Sequence, residues 1–156
     1  MVKVGIVGLG FMGKMHLKCY QSLKNAKVVA ICDGDKGKFV NKDEKVGNIA
    51  GAEKPLDLAG IGLYTDYDKM LAETKMDAVS ITLPTYLHLP YTIKSLEAGI
   101  NVLCEKPMAL NLKDCDRMIA AAEKSGKRLQ IGHCIRFWPE YAKTKEIIDS
   151  GEYGKV

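Results

Sequence analysis

Clustered arginine or lysine blocks, CxxC pairs and long apolar runs are all missing from this chain, and each gap removes a class of function. The 23 basic residues are dispersed among 19 acidic ones without interleaved aromatics, so a nucleic-acid surface has no support. The net charge of +4 allows no more than a weak preference for anionic ligands. His16, His88 and His133 lack metal-ligand spacing with each other or with cysteines, and no metal is expected. The five cysteines are odd in number, which points to reduced thiols in a cytosol-like compartment. Met1 to Leu9 is too short for a signal-peptide core and no run approaches a membrane span, so no membrane partner and a cytoplasmic location are expected.

What is present is the composition of one folded domain: 156 residues, 47% hydrophobic and 27% charged. Apolar strand-like runs alternate with helix-like segments. Val2–Val7, Lys27–Cys32, Ile61–Tyr64, Asp77–Leu83, Ile100–Cys104 and Arg128–Gly132 read as six strands. Between them, Met12, Met15, Cys19 and Leu23 have helical spacing, Asp66 caps a helix through Glu73, and a helix starts near Leu89–Pro90 and ends at Gly99. Asn111 begins a helix whose apolar face is Cys115, Met118, Ile119 and Ala122, with Gly126 as its stop. A last helix runs from Pro139 to Ser150. The segment Lys36–Ile49 is expected to be helical, followed by a looser stretch, Gly51 to Gly60, containing Pro55. Near-continuous apolar strands alternating with helices predict an α/β, doubly wound parallel sheet of six strands with helices on both faces. Its ligand crevice should lie at the carboxyl ends of the strands.

Gly8-Leu9-Gly10-Phe11-Met12-Gly13 lies between the first strand and the first helix. The first glycine permits a tight turn, the second lets backbone approach a diphosphate, and the third lets helix and strand pack closely. An ordinary strand–helix turn would use the same glycines, but position, spacing and periodicity together favour a dinucleotide in a Rossmann domain. Asp33 ends the second strand 20 residues after Gly13, where a carboxylate accepts hydrogen bonds from the adenosine ribose hydroxyls. Such charge-assisted bonds contribute roughly 1.5–3 kcal/mol, and the same charge repels a 2′-phosphate. NAD is therefore expected, with NADP possible because Lys36 and Lys38 offset part of the repulsion.

Glu105-Lys106-Pro107 follows the fifth strand. A buried lysine beside a nicotinamide can hydrogen-bond a substrate hydroxyl and help carry its proton as hydride leaves. On composition alone, a solvated lysine at a strand end explains Lys106 better. Cys32, Cys104 and Cys134 fall at strand ends and read as small buried apolar groups. His16 reads as a surface or packing histidine of the first helix, and His133 as equally open to the crevice or not.

The glycine motif, the strand-end Pro84 with His88, the run Gly99-Ile100-Asn101-Val102-Leu103-Cys104-Glu105-Lys106-Pro107 and the late Arg136-Phe137-Trp138-Pro139 occur in this order. Together they resemble the amino-terminal half of the Gfo/Idh/MocA oxidoreductases, the family of glucose–fructose oxidoreductase and inositol dehydrogenase. The resemblance spans essentially the whole chain, and Glu-Lys-Pro is its most specific part. It implies Lys106 as the catalytic lysine with Glu105 as its partner, and a cis bond before Pro107. It implies a cofactor site of Gly8, Gly10, Phe11, Met12, Gly13, Asp33, Leu83, Pro84, Thr85, His88, Glu105, Lys106 and Arg136, although the family usually has asparagine where Thr85 stands.

It also implies a second α/β domain that supplies further acid–base groups and mediates homo-oligomer contacts. Residues 1–150 would then be the dinucleotide-binding domain and 151–156 the start of a substrate domain absent from this chain. The implied reaction moves a hydride between a secondary alcohol of a sugar, cyclitol or related polyol and the nicotinamide. The alternative is a dinucleotide sensor or regulatory subunit that keeps the fold but not the reaction. A methyltransferase is disfavoured by Asp33 combined with Glu-Lys-Pro.

Overall fold

The computed structural model describes residues 1–40 and 56–155. Strand β1, Val2–Val7, is β-branched and apolar and buries its last four residues. Helix α1 is Phe11–Ser22, and β2, Ala26–Cys32, follows it. A single 3-10 turn at Lys36–Phe39 is capped by the Asp35 carboxylate, which accepts from Gly37 N. Next come β3, Gly62–Tyr64, and α2, Tyr67–Glu73, whose cap Asp66 accepts from Lys69 N.

Strand β4, Ala78–Ile81, leads through a 3-10 turn at Thr85–Leu87 into α3, His88–Glu97. Strand β5 is Asn101–Cys104, and α4, Leu112–Ser125, starts at an Asn111 cap and stops at Gly126, whose φ is +64°. After β6, Leu129–Ile131, a 3-10 turn at Cys134–Phe137 leads into α5, Pro139–Ser150.

All pairings are parallel, and the strand order is β3-β2-β1-β4-β5-β6. Right-handed crossovers put helices on opposite faces according to the direction of travel. The chain winds outward from β1 to β3, then returns and winds the other way from β4 to β6. The reversal therefore lies between β1 and β4. Alternation along the strands divides the core accordingly. Ile6 and Ile31 join Leu9, Leu17 of α1 and Val28 on one face. Val7, Ala30 and Cys32 join Tyr67 and Met70 of α2, Leu96 of α3 and Met118 of α4 on the other. Fully burying a side chain such as Leu17 or Met118 stabilises by about 1.5–3 kcal/mol, so helices and sheet hold each other in place.

The six parallel strands and the two covered faces agree with the sequence expectation; the helix faces do not in every case. Met12, Cys19 and Leu23, read from spacing as apolar helix positions, are exposed, and α1 instead buries Gly13 and Leu17. The third glycine allows this, because α1 rotates the line through residue 13 against β1. Ile119 of α4 is also exposed, while Met118 is fully buried. Cys134 is exposed, unlike Cys32 and Cys104, because β6 ends at Ile131. The expected helix Lys36–Ile49 is a 3-10 turn as far as Phe39; its residues 41–49, and the first half of the Gly51–Gly60 stretch, lie outside the described residues. Among the described residues no helix is long and apolar enough to cross a membrane.

Candidate functional site

The carboxyl ends of β1, β2, β4, β5 and β6, with the segments that follow them, carry every candidate site residue. At the centre, Gly8 takes φ +92°, a conformation L side chains resist, and its amide donates to Cys32 O at 2.8 Å. A Cβ on Gly13 would run into Gly8 O, so the helix can sit this close to the strand only with glycine there. Gly10 is different. A Cβ built on it meets no protein atom within 4 Å, so this position opens onto free space. Helix α1 has Gly10 as its N-cap, no side-chain cap and no acidic residue in its first turn. Its first-turn N–H groups and partial positive charge are thus left for an external anion. Phe11 and Met12, about one-third exposed, flank that opening.

Asp33 is 6% exposed and bound to the glycine loop directly. Its Oδ2 accepts from Leu9 N at 2.7 Å and from Lys38 Nζ at 3.1 Å, and its Oδ1 accepts from Asp35 N at 2.9 Å. The acid is therefore fixed one strand away from the phosphate turn, and the half-exposed Lys38 partly neutralises it. A dinucleotide fits these residues on two observations: the uncapped helix end faces the space beside Gly10, and an oriented carboxylate stands at the neighbouring strand end.

On the other side of the reversal, Leu83, Pro84 and Thr85 follow β4. Thr82 anchors this segment to the glycine loop, its hydroxyl lying 2.6 Å from Gly8 O and 3.0 Å from Val7 O. His88 is only 1% exposed, with Nε2 2.8 Å from Leu83 O and Nδ1 2.8 Å from Pro107 O. It was expected to line the nicotinamide side; its ring is instead held between two backbone carbonyls, behind the surface of the crevice. The cis bond expected before Pro107 is present.

Glu105 is buried, whereas Lys106 is exposed. The expectation of a buried Lys106 is thus corrected: β5 ends at Cys104 and the chain turns outward, leaving the lysine uncovered by this chain's own residues. Glu105 Oε1 is 3.1 Å from His16 Nε2, and Oε2 accepts from Lys106 N at 3.2 Å. Arg136 is exposed in the 3-10 turn after β6, one strand beyond Lys106. His133 is exposed as well. Among the described residues no group of three or more His, Cys, Asp or Glu is arranged to hold a metal ion.

Burial pushes the thiols of Cys32 and Cys104 up to about 11 and about 12, Asp33 adding to the first and Glu105 to the second. Both are therefore neutral packing groups. Sequence reasoning passed over Thr82 and Gly132 and read His16 as a surface or packing histidine, although it meets Glu105. None belongs to a local motif, and each acquires its role through contacts more than 25 residues away. The one available signal was the position of His16 in the second turn of the helix that the glycine motif opens.

Residues 2–133 match the Gfo/Idh/MocA family described as oxidoreductases with an NAD-binding Rossmann fold. The chain is 36% identical to inositol 2-dehydrogenase/D-chiro-inositol 3-dehydrogenase of Lactiplantibacillus plantarum over 98% of its own length and 41% of that protein's. It is similar to scyllo-inositol dehydrogenase of Lactobacillus casei with bound NAD(H) and scyllo-inositol, at 28% identity and a TM-score of 0.80, covering 97% of this chain and 42% of that one. It is likewise similar to the WlbA dehydrogenase of Bordetella pertussis in complex with NADH and UDP-GlcNAcA, at 28% identity and a TM-score of 0.82, covering 98% and 43%. The chain thus spans about two-fifths of the length of these relatives. With the glycine loop, the strand-end acid and the family match in agreement, the chain belongs to the Gfo/Idh/MocA oxidoreductases and comprises their NAD-binding Rossmann fold.

Proposed function

We propose that this chain is the cofactor-binding part of an NAD-dependent dehydrogenase acting on a secondary alcohol of a sugar, cyclitol or related polyol. The observation that carries this reading is Lys106 at the end of β5, on the same sheet edge as the uncapped helix and Asp33. Gly8, Gly10, Phe11, Met12 and Gly13 hold the diphosphate, and Asp33 takes the ribose hydroxyls. Leu83, Pro84 and Thr85 border the nicotinamide. Bound there, the nicotinamide supplies the hydride acceptor. Lys106 hydrogen-bonds the substrate hydroxyl and steadies the oxygen as its proton departs, with Arg136 toward the substrate side. Glu105 serves Lys106 from below, and His88 supports the loops on either side of it.

A second α/β domain, on this reading, covers Lys106, contributes the remaining acid–base group and carries the contacts between copies. The reading is supported by the relatives, which include inositol dehydrogenases and a dehydrogenase seen with a nucleotide sugar. The test is a screen of inositols, free sugars and nucleotide sugars with NAD on the protein from its full reading frame, following NADH. Turnover that disappears in Lys106→Ala while NADH binding persists is the expected result. Tight NAD binding without turnover on any alcohol would favour a sensor instead.

A further inference from the structure

Beneath Lys106, three separate parts of the chain converge on one buried carboxylate. Glu105 follows β5 and has its amide fixed to Ile81 O at 2.9 Å. From above the first strand, α1 extends His16, whose Nε2 lies 3.1 Å from Glu105 Oε1, with side-chain exposures of 14% and 11%. From the far side comes Gly132, just past β6, where a Cβ would stand 3.1 Å from the same Oε1. The other oxygen accepts from Lys106 N. Since a carboxylate only accepts, His16 presents Nε2–H to it. The helix bearing His16 is also pinned to the sheet four residues on, where Tyr20 OH is 2.8 Å from Ser80 Oγ of β4; within the helix the His16 and Tyr20 rings meet edge to face at 6.3 Å.

We propose that His16 is a positioning residue for Lys106, acting through Glu105. This inference rests on the reading of Lys106 under Proposed function. The helix whose amino end faces the cofactor diphosphate also sends a side chain to the carboxylate that holds the Lys106 backbone. A shift of α1 on diphosphate binding would reach the lysine backbone along these two hydrogen bonds. Without His16, the Glu105 carboxylate loses its lateral support and can turn toward other donors, the Lys106 ammonium among them. The lysine would then spend less time facing the crevice.

The test compares His16→Leu with His16→Gln, whose amide nitrogen can replace Nε2–H. Both are made in the protein from its full reading frame. The first readout is the rate at which acetic anhydride acylates Lys106, with and without NAD+, measured by peptide mass spectrometry. His16→Leu should change that rate by about threefold or more and blunt its response to NAD+, while His16→Gln stays near wild type. The second readout, with a polyol that turns over, should show kcat lowered about tenfold in His16→Leu with the KM for NAD little changed.

Equal behaviour of the two variants, or a loss confined to the KM for NAD, overturns the proposal. If His16→Leu does not fold, Gly132→Ala carries the test from the other side. Its Cβ would stand 3.1 Å from Oε1, so the carboxylate must give by a few tenths of an ångström, and an unaltered Lys106 acylation rate there overturns the proposal too. Lys106→Ala separates the layers: turnover retained in that variant defeats the reading of the site itself. Turnover lost there but kept in His16→Leu defeats only the role of His16.

Discussion

Leu9 N donates to Asp33 Oδ2 at 2.7 Å, so the acid expected to hold the cofactor ribose is also part of the glycine loop's own scaffold. One carboxylate does both jobs because its two oxygens have four lone-pair sites. Asp33→Ala should therefore weaken NAD binding by roughly 10- to 100-fold, the equivalent of about 1.5–3 kcal/mol. It should also lower stability, because the buried Leu9 amide loses its partner. Asp33→Asn keeps an acceptor and should preserve the melting temperature better than the affinity. Calorimetric titration beside thermal denaturation checks both; equal NAD affinity in wild type and Asp33→Ala would refute the ribose assignment.

Lys38 lies 3.1 Å from the same oxygen and is 41% exposed, so solvent screens the pair. Lys38→Met should make the site more selective for NAD over NADP, by no more than about fivefold on the scale of such exposed pairs. The ratio of the two dissociation constants is the measurement, and a ratio shifted toward NADP contradicts the idea.

Gly10 and Gly13 should separate binding from folding. A Cβ at Gly10 touches no protein atom, so Gly10→Ala should keep its melting temperature but bind NAD about tenfold more weakly, the Cβ occupying diphosphate space. Gly13→Ala collides with backbone at Gly8 and should lose stability by about 1–3 kcal/mol. A Gly10→Ala protein with unaltered NADH fluorescence titration would show that the cofactor does not pass there.

His88 bridges the carbonyls of Leu83 and Pro107, segments 24 residues apart. His88→Leu removes the ring from both carbonyls, to one of which a neutral imidazole donates, and should cost about 1–3 kcal/mol if that acceptor stays buried. Urea unfolding should show it, and proteolysis should find the loop after β5 more open. A variant as stable as wild type would mean that water replaces the ring at no cost.

Cys32 and Cys104 are raised to about 11 and about 12 in the fold, from an ordinary 9.0. The folded chain therefore holds these protons after the unfolded chain has released them. Their contribution to stability is fully present below pH 9 and declines as pH rises from there toward the folded values. Iodoacetamide at pH 8 should label exposed Cys19 and Cys134 and spare Cys32 and Cys104. Rapid labelling of Cys104 in the folded protein would contradict its burial.

Local chemistry made much of this protein legible from its residues. Strand runs, the Asp66 and Asn111 caps, Gly126 as a stop and the glycine motif are all decided within a few positions, by backbone sterics and hydrogen bonds between near neighbours. Periodicity alone was less dependable. It set Met12, Cys19 and Ile119 on apolar faces that the packed helices turn outward, because the sheet beneath selects which stripe is buried. Only the tertiary structure decided that His88 faces backbone carbonyls, that Lys106 is open while Glu105 is covered, and that His16 and Gly132 meet at that carboxylate. Apart from the His88–Leu83 contact, those contacts join residues 19 to 89 positions apart. They exist because the winding of the sheet reverses between β1 and β4, bringing separate strand ends to one edge, and no local pattern encodes that distance.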